Sequence, residues 1–318
     1  MTTFPPGSGT LVPENAALFQ RLTSTLKGSL AGSVLAANAL AIFSSMIPVA
    51  LLKVVVPPQG AVRRALDRLL NALAEAWIAV NGWWMALVQR TRWDVRGVEG
   101  LRRRGWYLVN ANHQSWVDIL VLQKVFHRRV PFLKFFLKRE LFYVPVMGLA
   151  WWALDFPFVR RKGGGKGRGL DLATTRKACD RFKQIPTSVI NFLEGTRFSR
   201  AKQAAQGSPY RHLLKPRIGG LATALGAMGE RFDALLDVTI HYPQGVPTFW
   251  DLLSGKVREV VVRVRALEIP KDLLGGDYEG DPAFRARVQA WVQELWAEKD
   301  RCLDDLTRQA APAAETTA

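Results

Sequence analysis

The stretch WYLVNANHQSWVD, residues 106–118, decides the architecture of the chain. Its first residues, Trp106–Val109, form a short apolar run that is typical of a buried strand. A polar segment follows at once and ends in Asp118, five residues after His113. In α/β proteins ligands bind at the carboxyl ends of the strands, so this segment is a candidate functional site.

His113 and Asp118 are the residue types of a general base and its orienting acid. An unperturbed histidine has a pKa of about 6.5, so its ring is largely neutral at pH 7 and accepts a proton. A carboxylate on the far ring nitrogen fixes the tautomer and stabilises the imidazolium. Positions five apart lie roughly 140° apart on one helix. We therefore predict that His113 precedes the helix that holds Asp118.

A purely structural interpretation of the same residues is also open. Ser115-x-x-Asp118 matches a capping box, in which the carboxylate satisfies backbone N–H groups at a helix start. Nothing that resembles a strained nucleophile elbow surrounds Ser115, so we interpret this serine as the cap and not as a nucleophile. On the capping interpretation alone, His113 has no catalytic role.

Outside this stretch, the chain reads as strands that alternate with helices. Further short apolar runs predict strands at 189–193, 236–240 and 257–264, and helical periodicity is found at 172–182 and 284–296. The alternation predicts an α/β domain over residues 95–306, with a central mixed sheet flanked by helices. Residues 307–318 are predicted to form a disordered tail because they are rich in Ala, Thr and Pro.

Residues 1–94 are predicted to anchor the chain in a membrane. No charge lies between Lys27 and Lys53, and the apolar segment 28–52 is long enough to cross a hydrocarbon core of about 30 Å as a helix. A second apolar segment, 69–88, contains Glu75 and several tryptophans, which favours an interfacial helix or one arm of a helical hairpin. A buried core helix is the alternative for 28–52.

The net charge of +17, from 44 Lys and Arg against 27 Asp and Glu, favours a polyanionic partner. The long apolar runs and eleven tryptophans favour a membrane, and we find no RNP-like or helix-turn-helix signature of a nucleic-acid partner. The basic cluster at 63–68 predicts an inner (cytoplasmic) membrane location with the α/β domain facing the cytoplasm.

The two cysteines, Cys179 and Cys302, provide neither a disulfide framework nor a zinc site.

Other basic and polar residues follow predicted strands. The strand at 189–193 is followed directly by Glu194-Gly195-Thr196-Arg197, in which the glycine permits tight backbone geometry and the guanidinium can bind a phosphate through two hydrogen bonds. Lys138 lies in a basic, aromatic run, and Arg160 ends a predicted strand. Taken singly, each of these residues is as consistent with a solvated surface position as with a role in a binding site.

Taken in order, these elements resemble the PlsC-type glycerolipid acyltransferase family, the 1-acylglycerol-3-phosphate O-acyltransferases. The four matching blocks are Asn112–Asp118, Gly148…Phe158-Val159-Arg160, Phe192–Arg197 and the strand that ends in Tyr242-Pro243. The resemblance covers residues from about 95 to 300. Segments 208–217 and 235–240 further resemble the bacterial YihG-like branch of that family.

The resemblance implies a role for each matching residue. His113 is implied to be the general base on the acceptor hydroxyl, with Asp118 as its orienting acid. The remaining implied site residues bind the acceptor phosphate (Lys138, Arg160 and Arg197) or shape the acceptor site (Glu194, Gly195 and Thr196). No metal and no covalent enzyme intermediate is implied. The fourth block departs from the family pattern at His241-Tyr242, which leaves the details of the acyl pocket open.

The implied reaction transfers a fatty acyl group from acyl-CoA or acyl carrier protein to the sn-2 hydroxyl of 1-acylglycerol-3-phosphate. The product is phosphatidic acid, and no cofactor other than the thioester co-substrate is implied. The implied partners are membrane phospholipids, the lysophospholipid acceptor and the acyl carrier. Three alternatives stay open: another lysophospholipid acceptor, a membrane-bound hydrolase that uses His113 to activate water, and a non-enzymatic basic membrane-binding protein.

Overall fold

A six-stranded mixed sheet runs through the centre of the molecule. The computed structural model describes residues 14–135, 137–156, 158–159, 182–183 and 185–310. Its strands are β1 (Arg92–Arg96), β2 (Tyr107–Ala111), β3 (Leu133–Phe135), β4 (Leu137–Lys138), β5 (Phe158–Val159), β6 (Ser188–Asn191), β7 (Ala234–His241) and β8 (Glu259–Leu267). The large sheet has the order β1-β8-β7-β2-β6-β3, and β4 and β5 form a separate ladder. The predicted mixed α/β architecture is confirmed.

Four neighbouring strands, β7, β2, β6 and β3, are parallel to one another. Strand β8 runs antiparallel to β7, and β1 is parallel to β8. All five residues of β2 are buried, because helices cover both faces of the sheet. This burial explains why β2, β6, β7 and β8 are recognisable in the sequence as apolar runs. Strands β1 and β3 were not predicted.

Helices pack on both sides of the sheet. They are α1 (Glu14–Val55), α2 (Ala61–Val88), α3 (Val117–Phe126), α4 (Met147–Ala153), α5 (Arg200–Gln206), α6 (Gly219–Met228), α7 (Phe249–Leu253) and α8 (Pro282–Ala310). One apolar core joins a sheet face to α1–α4, and a second joins the other face to α6 and α8. Helix α8 continues past the predicted domain end at 306, whereas residues 172–181 and 311–318 lie outside the described residues.

Helices α1 and α2 form an N-terminal hairpin. The side-chain amide of Asn38 in α1 donates to Asn81 Oδ1 at 2.7 Å and to the Trp77 carbonyl at 3.1 Å, both in α2. Among the described helices, α1 alone is long and apolar enough to cross a membrane, over Arg21–Val55. The helix extends beyond the predicted segment 28–52 at both ends.

The end of α1 is held by a buried lysine. Lys53 is only 4% exposed, and its ammonium lies 2.7 Å from Asp67 in α2 and 2.5 Å from Asp155 just after α4. The same ammonium donates to the Ala153 carbonyl at 2.7 Å. A buried cation needs such partners because desolvation disfavours its charge. Lys53 therefore joins the hairpin to the α/β domain.

We predict that Lys53→Ala destabilises the protein by about 3 kcal/mol or more, because two largely buried carboxylates lose their common cation. Thermal unfolding of the detergent-solubilised protein measures this effect. Lys27→Ala, at an exposed position of the same helix, is the matched control and should leave the melting temperature unchanged. Equal melting temperatures for the Lys53 variant and the wild type would contradict the role of this ion pair.

Candidate active site

Three parallel strands deliver the chemically active residues to one edge of the sheet. Strand β2 pairs with β6 on one side and with β7 on the other, and Asn110 is in register with Asn191 and Asp237. His113, Glu194 and Tyr242 follow the last residues of β2, β6 and β7 within three positions. Because neighbouring parallel strands end at the same edge, residues far apart in sequence converge there.

His113 and Asp118 form a hydrogen-bonded pair at this edge. His113 lies in the loop after β2, Asp118 lies in the first turn of α3, and the His113 Nδ1 to Asp118 Oδ2 distance is 2.9 Å. Oδ2 also accepts from backbone N–H groups, so the carboxylate is the acceptor and Nδ1 carries the proton. This tautomer leaves Nε2 with a free lone pair, as a general base requires. The predicted placement before the helix is therefore realised.

The capping interpretation is realised by the same carboxylate. Asp118 Oδ2 accepts from the N–H groups of Gln114 and Ser115 at 2.6 and 2.8 Å. The hydroxyl of Ser115 accepts from the Val117 N–H at 3.2 Å and donates to the Pro247 carbonyl at 2.5 Å. Capping and histidine orientation are thus compatible, since one oxygen of this buried carboxylate, Oδ2, accepts from three donors. Ser115 is held by the loop that follows β7.

Two aromatic side chains complete the surroundings of the pair. The imidazole of His113 stacks on Phe192, with ring centroids 4.1 Å apart and an angle of 18° between planes. The hydroxyl of Tyr242 donates to Asp118 Oδ1 at 2.6 Å. Burial and the Asp118 charge raise the pKa of Tyr242 well above its usual value, so the phenol remains a donor at neutral pH. Both carboxylate oxygens of Asp118 are thereby engaged.

Glu194 binds the backbone of the loop after β2, which carries His113. It is fully buried, and its two oxygens accept from the N–H groups of His113 at 2.7 Å and Leu214 at 3.1 Å. Burial raises the pKa of Glu194 to about 8, in spite of these two hydrogen bonds. The predicted acceptor-site residue therefore contacts the loop that carries the histidine, and it is not exposed to solvent.

The turn after Glu194 is basic and tightly packed. Gly195 has φ of 65°, and a Cβ atom there would lie 2.8 Å from Cδ of Arg217, so a glycine lets this arginine cross the turn.

The guanidinium of Arg197 lies over the Trp116 ring, 5.1 Å from its centroid. Thr196 Oγ1 accepts from Lys202. No carboxylate in the described ranges forms an ion pair with Arg197 or Arg217, which leaves both cations available to an anion.

The remaining predicted phosphate ligands are only partly located. Lys138 lies in β4, and its backbone is in register with Val159 of β5, the residue before Arg160. The Lys138 side chain and the whole of Arg160 lie outside the described residues. Across the part of the chain that is described, no group of three or more His, Cys, Asp or Glu side chains is arranged to hold a metal ion.

Tyr242 and Arg217 are site residues that the sequence did not reveal. Tyr242 lies 124 positions from Asp118, and Arg217 crosses the turn at Gly195 from a separate segment. The departure of the fourth block at His241-Tyr242 was the one visible signal for the tyrosine. Arg217 ends segment 208–217, which resembles the YihG-like branch, but that resemblance implied no role for this arginine.

Comparison with known proteins places this site in context. Residues 92–241 match the family model described as "Acyltransferase". The chain is 26% identical over 251 residues to 1-acyl-sn-glycerol-3-phosphate acyltransferase gamma of Homo sapiens. This alignment covers 75% of the chain and 63% of the relative. It is 28% identical over 238 residues to 1-acyl-sn-glycerol-3-phosphate acyltransferase 3 of Arabidopsis thaliana. This second alignment covers 70% of the chain and 59% of the relative. The chain thus spans roughly three fifths of the length of these curated relatives.

The fold resembles a solved structure. The crystal structure of the 1-acyl-sn-glycerophosphate (LPA) acyltransferase PlsC from Thermotoga maritima matches with a TM-score of 0.50 and 19% sequence identity. The match covers 87% of this chain and 98% of that chain, so it includes most of the described elements. The predicted YihG-like branch is not tested by any of these comparisons and stays a prediction.

The raised pKa of Glu194 predicts how stability depends on pH. Between the unfolded value of about 4.3 and the folded value of about 8, the folded protein binds a proton that the unfolded chain has lost. Wild-type stability should therefore fall as pH rises through this window. Glu194→Gln has no such proton, so its melting temperature, although lower at pH 5.5, should approach that of the wild type by pH 8.

Melting curves of both proteins between pH 5 and 9 measure this difference. Glu230→Gln, at an exposed position, should run parallel to the wild type across the whole range and serves as the control. Parallel curves for Glu194→Gln and the wild type would show that the Glu194 carboxyl is already ionised in the folded protein.

Proposed function

We propose that this chain, which matches the acyltransferase family model over residues 92–241, is a PlsC-type acyltransferase that transfers a fatty acyl group from a thioester to the free sn-2 hydroxyl of 1-acylglycerol-3-phosphate. The observation that carries the proposal is the His113–Asp118 pair, with Nδ1 bonded to the carboxylate and Nε2 left to accept a proton. The product is phosphatidic acid. The names of the similar proteins support 1-acylglycerol-3-phosphate as the acceptor, and the chemistry of such a base supports a thioester donor.

The proposed step moves one proton and exchanges one bond. Nε2 of His113 takes the proton of the acceptor hydroxyl as its oxygen attacks the thioester carbonyl. The new C–O bond forms, the C–S bond breaks, and the imidazolium returns its proton to the leaving thiolate. Asp118 stabilises the imidazolium between these events because its charge lies on the Nδ1 side. No cofactor beyond the thioester takes part in this step.

Cations near the pair support a phosphate-bearing acceptor. Arg197 and Arg217 flank the turn at Gly195, and Glu194, in the same turn, is bonded to the backbone of His113. A guanidinium binds a phosphate through two parallel hydrogen bonds, which fixes orientation as well as charge. We propose that Arg197 binds the acceptor phosphate, with Lys138 and Arg160 as further ligands from the β4–β5 ladder. The donor is proposed to be acyl-CoA or acyl carrier protein, both anionic.

We predict that His113→Ala lowers acyl transfer by about 10²- to 10⁴-fold, because an alcohol is a weak nucleophile without a positioned base. The measurement is transfer from radiolabelled oleoyl-CoA to 1-acylglycerol-3-phosphate in membranes that contain the variant. His127→Ala, at the far end of α3, is the matched control and should retain wild-type activity.

The same assay separates the alternatives. Thiol release that does not depend on the acceptor would favour a hydrolase. Wild-type protein that is inactive with acyl-CoA and acyl carrier protein, across a panel of lysophospholipids, would favour a membrane-binding protein. Full activity of His113→Ala would refute the assignment of the base.

We further propose that the N-terminal hairpin holds the protein on one face of a membrane. Helix α1 presents a row of exposed apolar side chains, including Leu26, Leu30, Leu40 and Leu51. Exposed apolar surface of this extent on a soluble protein is unusual and is typical of contact with lipid. The exposed rings of Trp116 and Trp250, at the catalytic edge and beside α1, suit the interface between lipid and water.

The contacts of α1 favour an orientation along the membrane. Gly28 packs on Trp250 of α7, and Lys53 binds Asp155 after α4, so the α/β domain touches α1 at both positions. These positions are 25 residues apart, about 38 Å along a helix at 1.5 Å per residue. That length exceeds the hydrocarbon core of about 30 Å. A perpendicular crossing would therefore draw the α/β domain through the bilayer.

We predict that both ends of α1 lie on the same side of the membrane as the α/β domain. Single cysteines introduced by Thr25→Cys, Gln59→Cys and Lys256→Cys, in a background without Cys179 and Cys302, are tested with a membrane-impermeant maleimide. All three should be protected in intact cells and labelled in inverted vesicles. Labelling of Thr25→Cys alone in intact cells would mean that α1 crosses the membrane.

A further inference from the structure

The hydroxyl of Tyr242 donates to the buried Asp118 carboxylate, although the proposed chemistry gives this tyrosine no role. Tyr242 directly follows β7, is 4% exposed, and lies 2.6 Å from Asp118 Oδ1. The other oxygen, Oδ2, already accepts from His113 Nδ1 and from two backbone N–H groups. Within the described parts of the chain, Tyr242 is thus the one hydrogen-bond donor to Oδ1.

We propose that Tyr242 is a positioning residue, which fixes the Asp118 carboxylate and, through it, the orientation and proton affinity of the His113 ring. The inference rests on the proposed role of His113 as general base. A carboxylate held at one oxygen only can rotate about its Cβ–Cγ bond, and the phenol opposes that rotation. The phenol also disperses part of the carboxylate charge, because a hydrogen bond to the charged form stabilises it.

The surroundings make this contact strong. Asp118 is fully buried, and in a low-dielectric interior a hydrogen bond to an ionised group is stronger than in water. The other titratable side chain in contact with the pair, among those described, is Glu194, which accepts from the His113 N–H. Lys299 of α8 interacts electrostatically with Glu194 and is paired with Asp237 at 2.7 Å. Tyr242 is therefore the neutral neighbour that modulates Asp118 directly.

Removal of the hydroxyl has a defined consequence for proton transfer. In Tyr242→Phe the Oδ1 atom keeps its burial but loses its donor, and its charge acts more strongly on the imidazolium. His113 should then hold its proton to higher pH, so the acid limb of the kcat/KM profile should move upward by about 0.5 to 1 pH unit. At pH 6 this shift appears as a several-fold loss of activity that largely recovers above pH 8. The KM for the acceptor should not change.

The experiment compares Tyr242→Phe with Tyr107→Phe. Tyr107 is also buried in the sheet, and its hydroxyl accepts from the Arg102 N–H at 2.9 Å, at the edge opposite the histidine. This control loses the same atom without contact with the pair, so its pH profile should match the wild type. Both variants are compared with the wild type between pH 5 and 9. A Tyr242→Phe profile that superimposes on the wild type would overturn the proposal.

A second measurement does not require acyl transfer. The chain has four histidines, so NMR of protein labelled in its histidine rings can follow the titration of His113 in detergent micelles. The His113→Ala spectrum identifies the signal. An upward movement of the His113 titration midpoint in Tyr242→Phe supports the proposal even if the substrate were different. An unchanged midpoint in folded protein would leave Tyr242 with a packing role only and refute the positioning role.

Discussion

The buried carboxylate of Asp118 is the interaction on which the active-site edge depends. An ionised carboxylate inside a protein is costly unless donors replace its lost water, and Asp118 has a histidine ring, two backbone N–H groups and a phenol. Those donors come from the loop after β2 and from the residue after β7, and the carboxylate itself lies at the start of α3. The need to satisfy one charge therefore determines how these elements meet. The orientation of the His113 ring follows from that structural requirement.

A second carboxyl group performs a related task in the neighbouring loop. Glu194 accepts from the backbones of His113 and Leu214, and the loop position is thereby tied to β6 and to the segment before Arg217. Asn112 adds a further pair of hydrogen bonds to the Ile240 backbone of β7. The histidine backbone is thus held between the two strands that flank β2. Such restraint limits the movement of the ring and suits the role of general base that we propose for His113.

Much of this architecture could be predicted because strands that are buried on both faces consist mainly of apolar residues. Strands β2, β6, β7 and β8 are covered on both faces and therefore read as apolar runs. Strand β1, with the sequence Arg92-Trp-Asp-Val-Arg96, lies at the sheet edge. Because it begins and ends with exposed arginines, it does not form an apolar run in the sequence. The three residues of β3 are too few to show a periodicity.

The candidate site was predictable only where its partners are close in sequence. His113 and Asp118 are five positions apart, so their pairing could be argued from helix geometry. Glu194 is 81 positions from His113, and Tyr242 is 124 from Asp118. Neither contact follows from local pattern, because each depends on the order in which β7, β2 and β6 pair. The acceptor-site role expected of Glu194 stays a prediction, and the structure adds its contact with the loop that carries His113.

The N-terminal hairpin and the loop that carries His113 contact one common segment, which links the proposed membrane location to the proposed chemistry. The segment from Pro247 to Leu253 accepts the Ser115 hydroxyl at one end and packs Trp250 against Gly28 of α1 at the other. The proposed substrates carry acyl chains that stay in the lipid, so the proposed reaction requires His113 to lie at a fixed height above the bilayer. Since α1 and Ser115 both contact this short segment, the depth of α1 in the proposed membrane arrangement would set the height of His113. The glycine at position 28 permits this close packing, because a Cβ atom there would lie 2.8 Å from the Trp250 ring and would displace it.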